Sequence, residues 1–417
     1  MTIPQDHCRN AAFYCAFASA VLTTCSIALS QILLGLSILA LLIGREKLRI
    51  PPIWVPLGLF MLGTMLSLIF SGGDPWSGHA QIRKFYVFLM LVAIYTTFRS
   101  LAQVRALVLV WTAAATVSAF WGLWQFYNKW NESRHLHRNF YEFYNGARIT
   151  GLLNHWMTFG GVEMIVLLMG ISLLLYSIDR KWKLWLAGAA AVLILSLLLG
   201  WTRSIWLATA CGGFYLFWNW RAWLIPAFIV PVLLGLLWLN PLDLRDRFMS
   251  AFHPHGDVDS NRFRVLCRRT GWEIIKAHPW LGIGPDALKT QFRSWIPPGT
   301  PRPLPSGFYE ELENLYYQYA AERGVPTMLA LLWMLGLILF DFVRALKKLA
   351  PKSEARFVLH GGIAVTVAIL IAGWYEVNLG DSEVLAAFLS VVGCGYFAVD
   401  YAGAMSGPSR KFLSPTK

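Results

Sequence analysis

Three polar stretches of the sequence carry the side chains that could do chemistry, and each lies beside an apolar segment. Arg203 directly follows an uncharged apolar run, and Arg264 and Arg268 stand four residues apart. Glu310 and Glu313 precede another apolar segment. Guanidinium groups bind phosphate oxygens through paired hydrogen bonds and keep their charge at physiological pH, whereas a carboxylate can act as a general base. These residue types favour a phosphate-bearing substrate and a proton abstraction.

Each of these residues also has a purely structural interpretation. Arg203 could extend its charged end to the membrane interface, and the arginines around position 264 could form a solvated basic face. Acidic residues near the start of a helix offset the helix dipole. The functional interpretation rests on the arginines around position 264 taken together, and on the rule that ionisable groups at membrane depth usually serve function.

The segment His253–Asp259 (HPHGDVD) alternates four potential metal ligands, which are His253, His255, Asp257 and Asp259. Their spacing matches no defined metal site, and a polar loop accounts for them equally well. Residues 282–285 (GIGP) form no dinucleotide fingerprint, because no strand precedes them and a proline follows. We therefore predict that the protein uses neither a metal ion nor a cofactor.

The composition indicates that membrane helices position these residues. Of the 417 residues, 56% are hydrophobic and 14% are charged, whereas soluble domains carry about 25% charged residues. The formal net charge of +13 would suit nucleic-acid binding, but a mostly apolar chain fits that function poorly. We predict an integral membrane protein whose partners include the lipid bilayer and no nucleic acid.

Twelve apolar segments are long enough to be membrane-spanning helices. The boundary between the first two, at Ser30-Gln31, is the least distinct. Because residues 13–44 carry no charge, one long re-entrant stretch is the alternative to two spans there. The predicted spans are residues 12–27, 29–44, 53–71, 85–98, 106–126, 155–178, 184–200, 205–220, 222–239, 324–344, 357–376 and 383–400.

Lysine and arginine residues are concentrated in every second connection between these spans. The positive-inside rule makes those connections, and both termini, cytoplasmic. The chain then divides into residues 1–239 with spans one to nine, 240–323 as one large periplasmic loop with short helices, and 324–417 with spans ten to twelve and a cytoplasmic tail. Residues 268–278 of the loop predict a short amphipathic helix. Loops of this length are usually functional.

Four motifs resemble those of the bacterial O-antigen ligase and polymerase superfamily. Their order and sidedness, more than any single motif, carry the resemblance over about residues 145–330. The motifs are RITGLLNHW (Arg148–Trp156), RSIWL (Arg203–Leu207), Arg264 followed by HPWLGIGPD, and Asn314 with Gly324 at the spacing of the family's His-Asn-x9-Gly motif.

The resemblance implies an all-α, polytopic, GT-C-like glycosyltransferase of the bacterial inner membrane, with its active site facing the periplasm. The implied donor is an undecaprenyl-pyrophosphate-linked oligosaccharide, and the acceptor is a glycan or a lipid-linked glycan. The implied transfer is inverting and independent of metal. A polymerase of this type would have a chain-length regulator protein as a further partner.

The resemblance also assigns roles to individual residues. It implies that Glu313, Arg203 and Arg264 are catalytic, and Glu310 and Glu311 are the alternatives to Glu313 as the base. Substrate binding is predicted for Arg148, His155, Arg268, His278, Glu310 and Asn314. Glu313 occupies the position of the histidine on which ligases rely, and this favours a polymerase. An O-antigen ligase that attaches the glycan to the lipid A core is the alternative.

A twelve-helix transporter or lipid flippase is the alternative from another functional class. Such proteins usually carry ionisable groups near the middle of the membrane, together with broken helices or repeats. Here most predicted spans are uncharged, and the charged residues within spans, such as Glu163 and Asp341, lie within a turn or two of a span end. No internal repeat is visible. The charge is concentrated on one outer face, which favours the enzyme.

Overall fold

The computed structural model describes residues 5–72, 75–177, 179–223, 243–255 and 259–406, and the described residues form helices and no strands. Seventeen α-helices lie within these ranges. They are α1 (Gln5–Leu22), α2 (Ile27–Ile43), α3 (Trp54–Phe70), α4 (Pro75–Arg83), α5 (Leu89–Thr97), α6 (Leu101–His135), α7 (Phe140–Gly146), α8 (Trp156–Tyr176), α9 (Arg180–Leu199), α10 (Arg203–Arg221), α11 (Leu244–Met249), α12 (Asn261–Ala277), α13 (Leu288–Gln291), α14 (Leu315–Arg323), α15 (Val325–Leu346), α16 (Ala355–Ala372) and α17 (Ser382–Ser406).

The helices support a multi-pass membrane protein. Six of the described helices are long and apolar enough to cross a membrane, namely α6, α8, α9, α15, α16 and α17, and the shorter α2 and α3 are also apolar. Eleven of the twelve predicted spans overlap described helical segments, while residues 224–239 of the ninth predicted span lie outside the described part. The count of twelve membrane crossings and the division into three regions stay predictions.

Helices α8, α16 and α17 form the centre of the bundle, because most of their side chains are buried. Helix α16 packs against α8 and α10, α17 packs against α5, and α3 packs against α15. Small residues allow close approach, as is usual between membrane helices. At Gly395 an added Cβ would lie 2.1 Å from the Phe342 ring, so α17 and α15 meet there without space for a side chain.

The break between the first two helices falls at residues 23–26, before the predicted position at Ser30-Gln31. The hydroxyl groups of Thr23 and Thr24 donate to the carbonyl oxygens three residues earlier, which competes with helix continuation. Ser30 instead lies inside α2. It exchanges side-chain-to-backbone hydrogen bonds of 2.7 and 2.8 Å with Ser19 of α1, so it joins the two helices.

The segment between the predicted ninth and tenth spans contains four described helices, α11 to α14. The predicted amphipathic helix at 268–278 begins earlier than expected, at Asn261, and ends at Ala277. Its buried face carries Phe263, Leu266 and Ile274, and Phe263 packs with Phe292 and Tyr309 in a small core of its own. Arg264 therefore lies in the first turn of a well-anchored helix.

We predict that Gly395→Ala lowers the stability of the bundle by about 1–3 kcal/mol, the usual cost of overpacking a core, because Phe342 is fully buried. The matched control is Gly336→Ala, where an added Cβ meets nothing within 4 Å. The measurement is the apparent melting temperature of each purified variant in detergent. Equal melting temperatures for the two variants would contradict the prediction.

Candidate active site

Charged residues from five separate segments meet at one end of the bundle. We call this group the arginine–carboxylate cluster, and it comprises Arg148, Arg203, Arg264, Glu311, Glu313, Glu376 and Asp381. The helices α8, α10 and α17 begin there and α16 ends there. Hydrogen bonds fix the helix ends to one another: Ser204 of α10 donates to Glu376, and Thr158 of α8 donates to Asp381 over 2.7 Å.

Arg203 is the first residue of α10 and its side chain turns towards the loop helices. Its Nη1 donates to Ser250 Oγ over 2.9 Å, and its Nη2 donates to Asn261 Oδ1 over 2.7 Å. The Nη2 also lies 3.3 Å from the Asp259 carbonyl oxygen. These three partners hold the guanidinium among polar groups of the protein, so its orientation does not depend on the membrane interface.

A buried ion pair between Arg247 and Asp259 lies next to Arg203, which contacts the Asp259 carbonyl oxygen. Arg247 Nη1 lies 2.8 Å from Asp259 Oδ1, and the two side chains are only 3% and 0% exposed. Tyr141 donates to the same oxygen over 2.7 Å, and Arg247 Nε donates to the Trp201 carbonyl oxygen over 3.0 Å. Burial raises the pKa of Asp259, but hydrogen bonds from Tyr141 and His255 and the Arg247 charge outweigh it, so the pKa is lowered.

Two of the potential metal ligands of the HPHGDVD segment, His255 and Asp259, belong to the hydrogen-bond network around this buried ion pair. The backbone N–H of His255 donates to Asp259 Oδ2 over 2.7 Å, and the ring Nδ1 of His255 lies 3.0 Å from the same oxygen. Asp257 lies outside the described residues. The Asp259 carboxylate is therefore engaged in joining α7, α11 and the start of α12.

Arg264 and Glu313 form the ion pair at the front of the cluster. Arg264 Nη2 lies 3.3 Å from Glu313 Oε2, and both side chains are partly buried, at 20% and 14% exposure. Glu313 has a φ of +50°, which is uncommon for a residue with a side chain. Such conformations persist only where neighbouring contacts hold them, and they concentrate at functional sites.

Asn314 follows Glu313 and begins α14. Its Oδ1 accepts hydrogen bonds from the backbone N–H groups of Tyr316 and Tyr317, each over 3.0 Å. Its Nδ2 donates to the Trp374 carbonyl oxygen over 2.8 Å. Asn314 is buried and caps the helix in the way its residue type favours. This geometry fixes the backbone that presents Glu313.

Three further carboxylates, those of Glu311, Glu376 and Asp381, lie near Glu313, and the sequence motifs did not identify the last two as site residues. Burial, followed by the charges of Glu313 and Asp381, raises the pKa of Glu311 to about 8. Burial raises the pKa of Glu376 to about 7, although Ser204 and Arg264 act in the opposite direction. Burial also raises the pKa of Asp381. In the sequence, Glu376 and Asp381 can be recognised as two acidic residues close together between the last two apolar segments.

Arg148 and His155 approach the cluster from the loop before α8. Arg148 Nη2 donates to Asn145 Oδ1 over 2.6 Å, and its guanidinium lies 5.4 Å from the centre of the Trp156 ring. Burial and then the charges of Arg247 and Arg264 lower its pKa. Burial also lowers the pKa of His155, while Asp381 and Glu313 oppose that shift. Both predicted residues therefore lie within electrostatic reach of the catalytic candidates.

The other predicted substrate-binding residues lie outside this cluster. Arg268, Glu310 and His278 are exposed, and the described structure gives none of them a hydrogen bond or ion pair with a member of the cluster. The His278 ring packs at 5.5 Å against Trp295, and its carbonyl oxygen accepts from Gly282. A role for these three residues in substrate binding stays a prediction.

The HPWLGIGP motif has a clear structural task. The backbone N–H groups of Ile283 and Gly284 donate to the carbonyl oxygens of Ala321 and Glu322, each over 2.9 Å. Gly324 has a φ of +84°, and a Cβ there would lie 1.9 Å from the Trp280 carbonyl oxygen. The motif therefore packs backbone against backbone on the end of α14, the helix whose start carries Asn314.

With this geometry in place, comparison with known proteins gives one informative match. Residues 188–332 match the family model described as O-antigen ligase (Wzy_C). The match confirms the resemblance to the O-antigen ligase and polymerase superfamily that the motifs predicted. It covers Arg203, Arg264 and Glu313, but neither the loop before α8 nor the connection between α16 and α17. No curated protein is similar enough to match.

The match implies a glycosyltransferase-like enzyme of the O-antigen ligase type. It also implies a lipid-linked glycan substrate and a membrane environment. The long apolar helices suit such an environment. The part of the chain that matches the family is the part that supplies the ion pair between Arg264 and Glu313.

We predict that Arg247→Ala destabilises the protein by about 3–5 kcal/mol, because it leaves the Asp259 carboxylate buried without its cation. The control is Arg245→Ala, which removes one member of the half-exposed pair with Asp246, and we expect it to change stability by less than about 1 kcal/mol. Thermal unfolding in detergent measures both effects. An Arg247→Ala protein as stable as the control would be evidence against a supporting ion pair.

We predict a pH dependence of stability from Glu311. Its pKa in the folded chain, about 8, lies above its ordinary value of 4.5, so the folded state binds the extra proton. Its contribution to stability is present below about pH 4.5 and is lost as the pH rises to about 8. The apparent melting temperature should fall over this range, and Glu311→Gln should flatten the fall.

The control for this measurement is Glu310→Gln, because the Glu310 side chain is exposed. Glu376 acts in the same direction as Glu311, so the slope should become smaller without vanishing. Superimposable pH profiles for the Glu311→Gln variant and the unmodified protein would disprove the assignment.

Proposed function

We propose that the protein transfers a glycan from undecaprenyl pyrophosphate to the hydroxyl group of an acceptor sugar, at the periplasmic face of the bacterial inner membrane. The observation that carries this proposal is the ion pair between Arg264 and Glu313, with Arg203 and Arg148 beside it. An acid that accepts a proton and several cations that hold a diphosphate are the two requirements of the reaction.

In the proposed reaction, the acceptor hydroxyl attacks the anomeric carbon of the donor sugar. Its oxygen forms the new glycosidic bond, and its proton passes to a carboxylate oxygen of Glu313. The bond between the anomeric carbon and the pyrophosphate oxygen breaks, and undecaprenyl pyrophosphate leaves with the bonding electron pair. Attack from the side opposite the leaving group inverts the anomeric centre.

Arg203 and Arg264 stabilise the negative charge that grows on the departing pyrophosphate. Fixed cations aimed at developing charge commonly accelerate such a step by about a hundredfold to a thousandfold each. The guanidinium of Arg203 is already oriented by Ser250 and Asn261, so little reorganisation is needed. Arg148 adds a third positive charge, and no metal ion or cofactor enters the reaction.

Glu313 also supports a polymerase over a ligase. The chain carries a glutamate where ligases of this superfamily carry a histidine, and a carboxylate can carry out the same proton abstraction. The proposed acceptor is then the next lipid-linked repeat unit, with a chain-length regulator protein as partner. A ligase would use the lipid A core as its acceptor.

The proposed orientation places the arginine–carboxylate cluster on the periplasmic side and both termini in the cytoplasm. Arginine and lysine are frequent in the connections at the opposite end of the bundle, such as the one between α15 and α16. The positive-inside rule assigns connections of that kind to the cytoplasm.

We predict that Glu313→Gln and Arg264→Ala each lower glycan transfer by at least about a hundredfold, while the proteins still insert and fold. The matched controls are Glu273→Gln and Arg302→Ala, whose side chains lie outside the cluster on the same loop, and they should retain full activity. The assay uses purified protein, lipid-linked repeat units and excess EDTA, with products separated by length. Full activity of either cluster variant would refute the assignment.

The same assay separates the candidate functions. Chain growth from lipid-linked repeat units alone indicates a polymerase, whereas product that forms only after addition of lipid A core indicates a ligase. Substrate movement across liposomes without any new glycosidic bond would indicate the transporter.

A further inference from the structure

We propose that the outer face of α12 docks on anionic phospholipids of the bilayer. In this arrangement Trp272 lies among the acyl chains, and Arg268 and Arg269 bind headgroup phosphates. We call this face the lipid-facing surface, and it comprises Val265, Arg268, Arg269, Trp272 and Lys276. It is separate from the arginine–carboxylate cluster and does not depend on the proposed reaction.

The first observation is that α12 exposes apolar side chains as well as charged ones. Val265 is 41% exposed and Trp272 is 53% exposed, although the helix already buries its opposite face in the small loop core. At helical spacing, the two residues lie seven apart and share one stripe with Arg269 and Lys276. A helix with an apolar stripe flanked by cations is typical of a membrane interface.

The second observation is the groove beneath this stripe. A cavity of about 540 Å³ lies between α12 and the adjoining ends of α15 and α16. Its walls include Trp272, Ile275, Met328, Leu332, Leu370 and Trp374. Helices α15 and α16 are both apolar enough to cross a membrane, and Leu332 lies about 10 Å along α15 from its start. The apolar groove therefore continues into the membrane-facing part of the bundle.

The third observation concerns the charges. The described residues provide no ion pair for Arg268 or Arg269, whereas Arg264 pairs with Glu313 and Lys276 pairs with Glu273. Both arginines are exposed on a helix that otherwise satisfies its cations. Planar guanidinium groups suit phosphate oxygens, and cations beside the headgroups of an anionic bilayer are attracted to it.

The aromatic residues around the groove specify the level of the membrane surface. Trp272, Trp280 and Trp374 are 53%, 75% and 58% exposed and come from three different segments. Tryptophan collects where the acyl chains meet the headgroups, because its ring is apolar and its N–H is polar. The combination of exposed tryptophan, an apolar groove and unpaired arginine fits a phospholipid, since a soluble polyanion would leave the groove unused.

The test is the affinity of the purified full chain for dioleoyl phosphatidylglycerol, titrated in an uncharged detergent and followed by native mass spectrometry. Each cation near an anionic lipid surface contributes about a fivefold gain in affinity. Arg268→Ala/Arg269→Ala should therefore weaken binding about thirtyfold, while binding of dioleoyl phosphatidylcholine should not change. Arg293→Ala/Arg302→Ala removes two exposed cations elsewhere on the same loop and should bind phosphatidylglycerol as the unmodified protein does.

Two further measurements keep the proposal open to refutation if the double alanine variant does not fold. Arg268→Lys/Arg269→Lys keeps both charges and should retain most of the preference for phosphatidylglycerol. Phosphatidylglycerol with brominated acyl chains should quench part of the tryptophan fluorescence, and Trp272→Phe should remove a share of that quenching. Unchanged phosphatidylglycerol affinity in the double alanine variant, or unchanged quenching in Trp272→Phe, would overturn the proposal.

Discussion

The buried ion pair between Arg247 and Asp259 is the interaction on which the geometry of the candidate site depends. Its two side chains are almost inaccessible to solvent, and hydrogen bonds from Tyr141 and His255 complete the carboxylate. Desolvating two charges is costly unless each is fully partnered, so this arrangement tolerates few alternatives. It ties α7, α10, α11 and α12 together, and it thereby sets the position of Arg203 and the start of the helix that carries Arg264.

Near Arg203 and Arg264 lie the four carboxyl groups of the arginine–carboxylate cluster, although only one of them, Glu313, forms an ion pair with Arg264. Glu311, Glu376 and Asp381 lie close enough to Glu313 that their negative charges act on one another, after burial, to raise the pKa values of Glu311 and Glu376. Groups of like charge share a site only where function or nearby cations hold them there. In the proposed reaction, one ionised carboxylate accepts the proton, and its partly protonated neighbours limit the total negative charge beside the incoming pyrophosphate.

Some motif residues position the backbone that carries Glu313, and others contact Glu313 directly. Asn314 caps α14, and Gly324 allows the turn at the other end of that helix to lie directly on the HPWLGIGP backbone. These residues hold Glu313 in place from both ends of one short helix. Arg264 and Arg268 share α12 and stand one turn apart, yet Arg264 pairs with Glu313 whereas the Arg268 side chain is exposed. A single helix therefore contributes Arg264 to the cluster and, one turn further along on an adjoining part of its surface, Arg268 to the proposed membrane contact.

The sequence by itself determined the helical membrane class, most helix positions and the resemblance to the superfamily, because apolar length and local motif order are properties of short segments. It also identified Arg203, Arg264 and Glu313 as residues that belong together. Only the tertiary structure decided that Glu376 and Asp381 join them, since two apolar helices, α15 and α16, separate these acids from Glu313 along the chain and packing brings them near it. Likewise, only the packing showed that Arg264 pairs with Glu313 whereas the Arg268 side chain is exposed. Spacing places two residues on one helix, but burial of the neighbouring helices decides what each side chain faces.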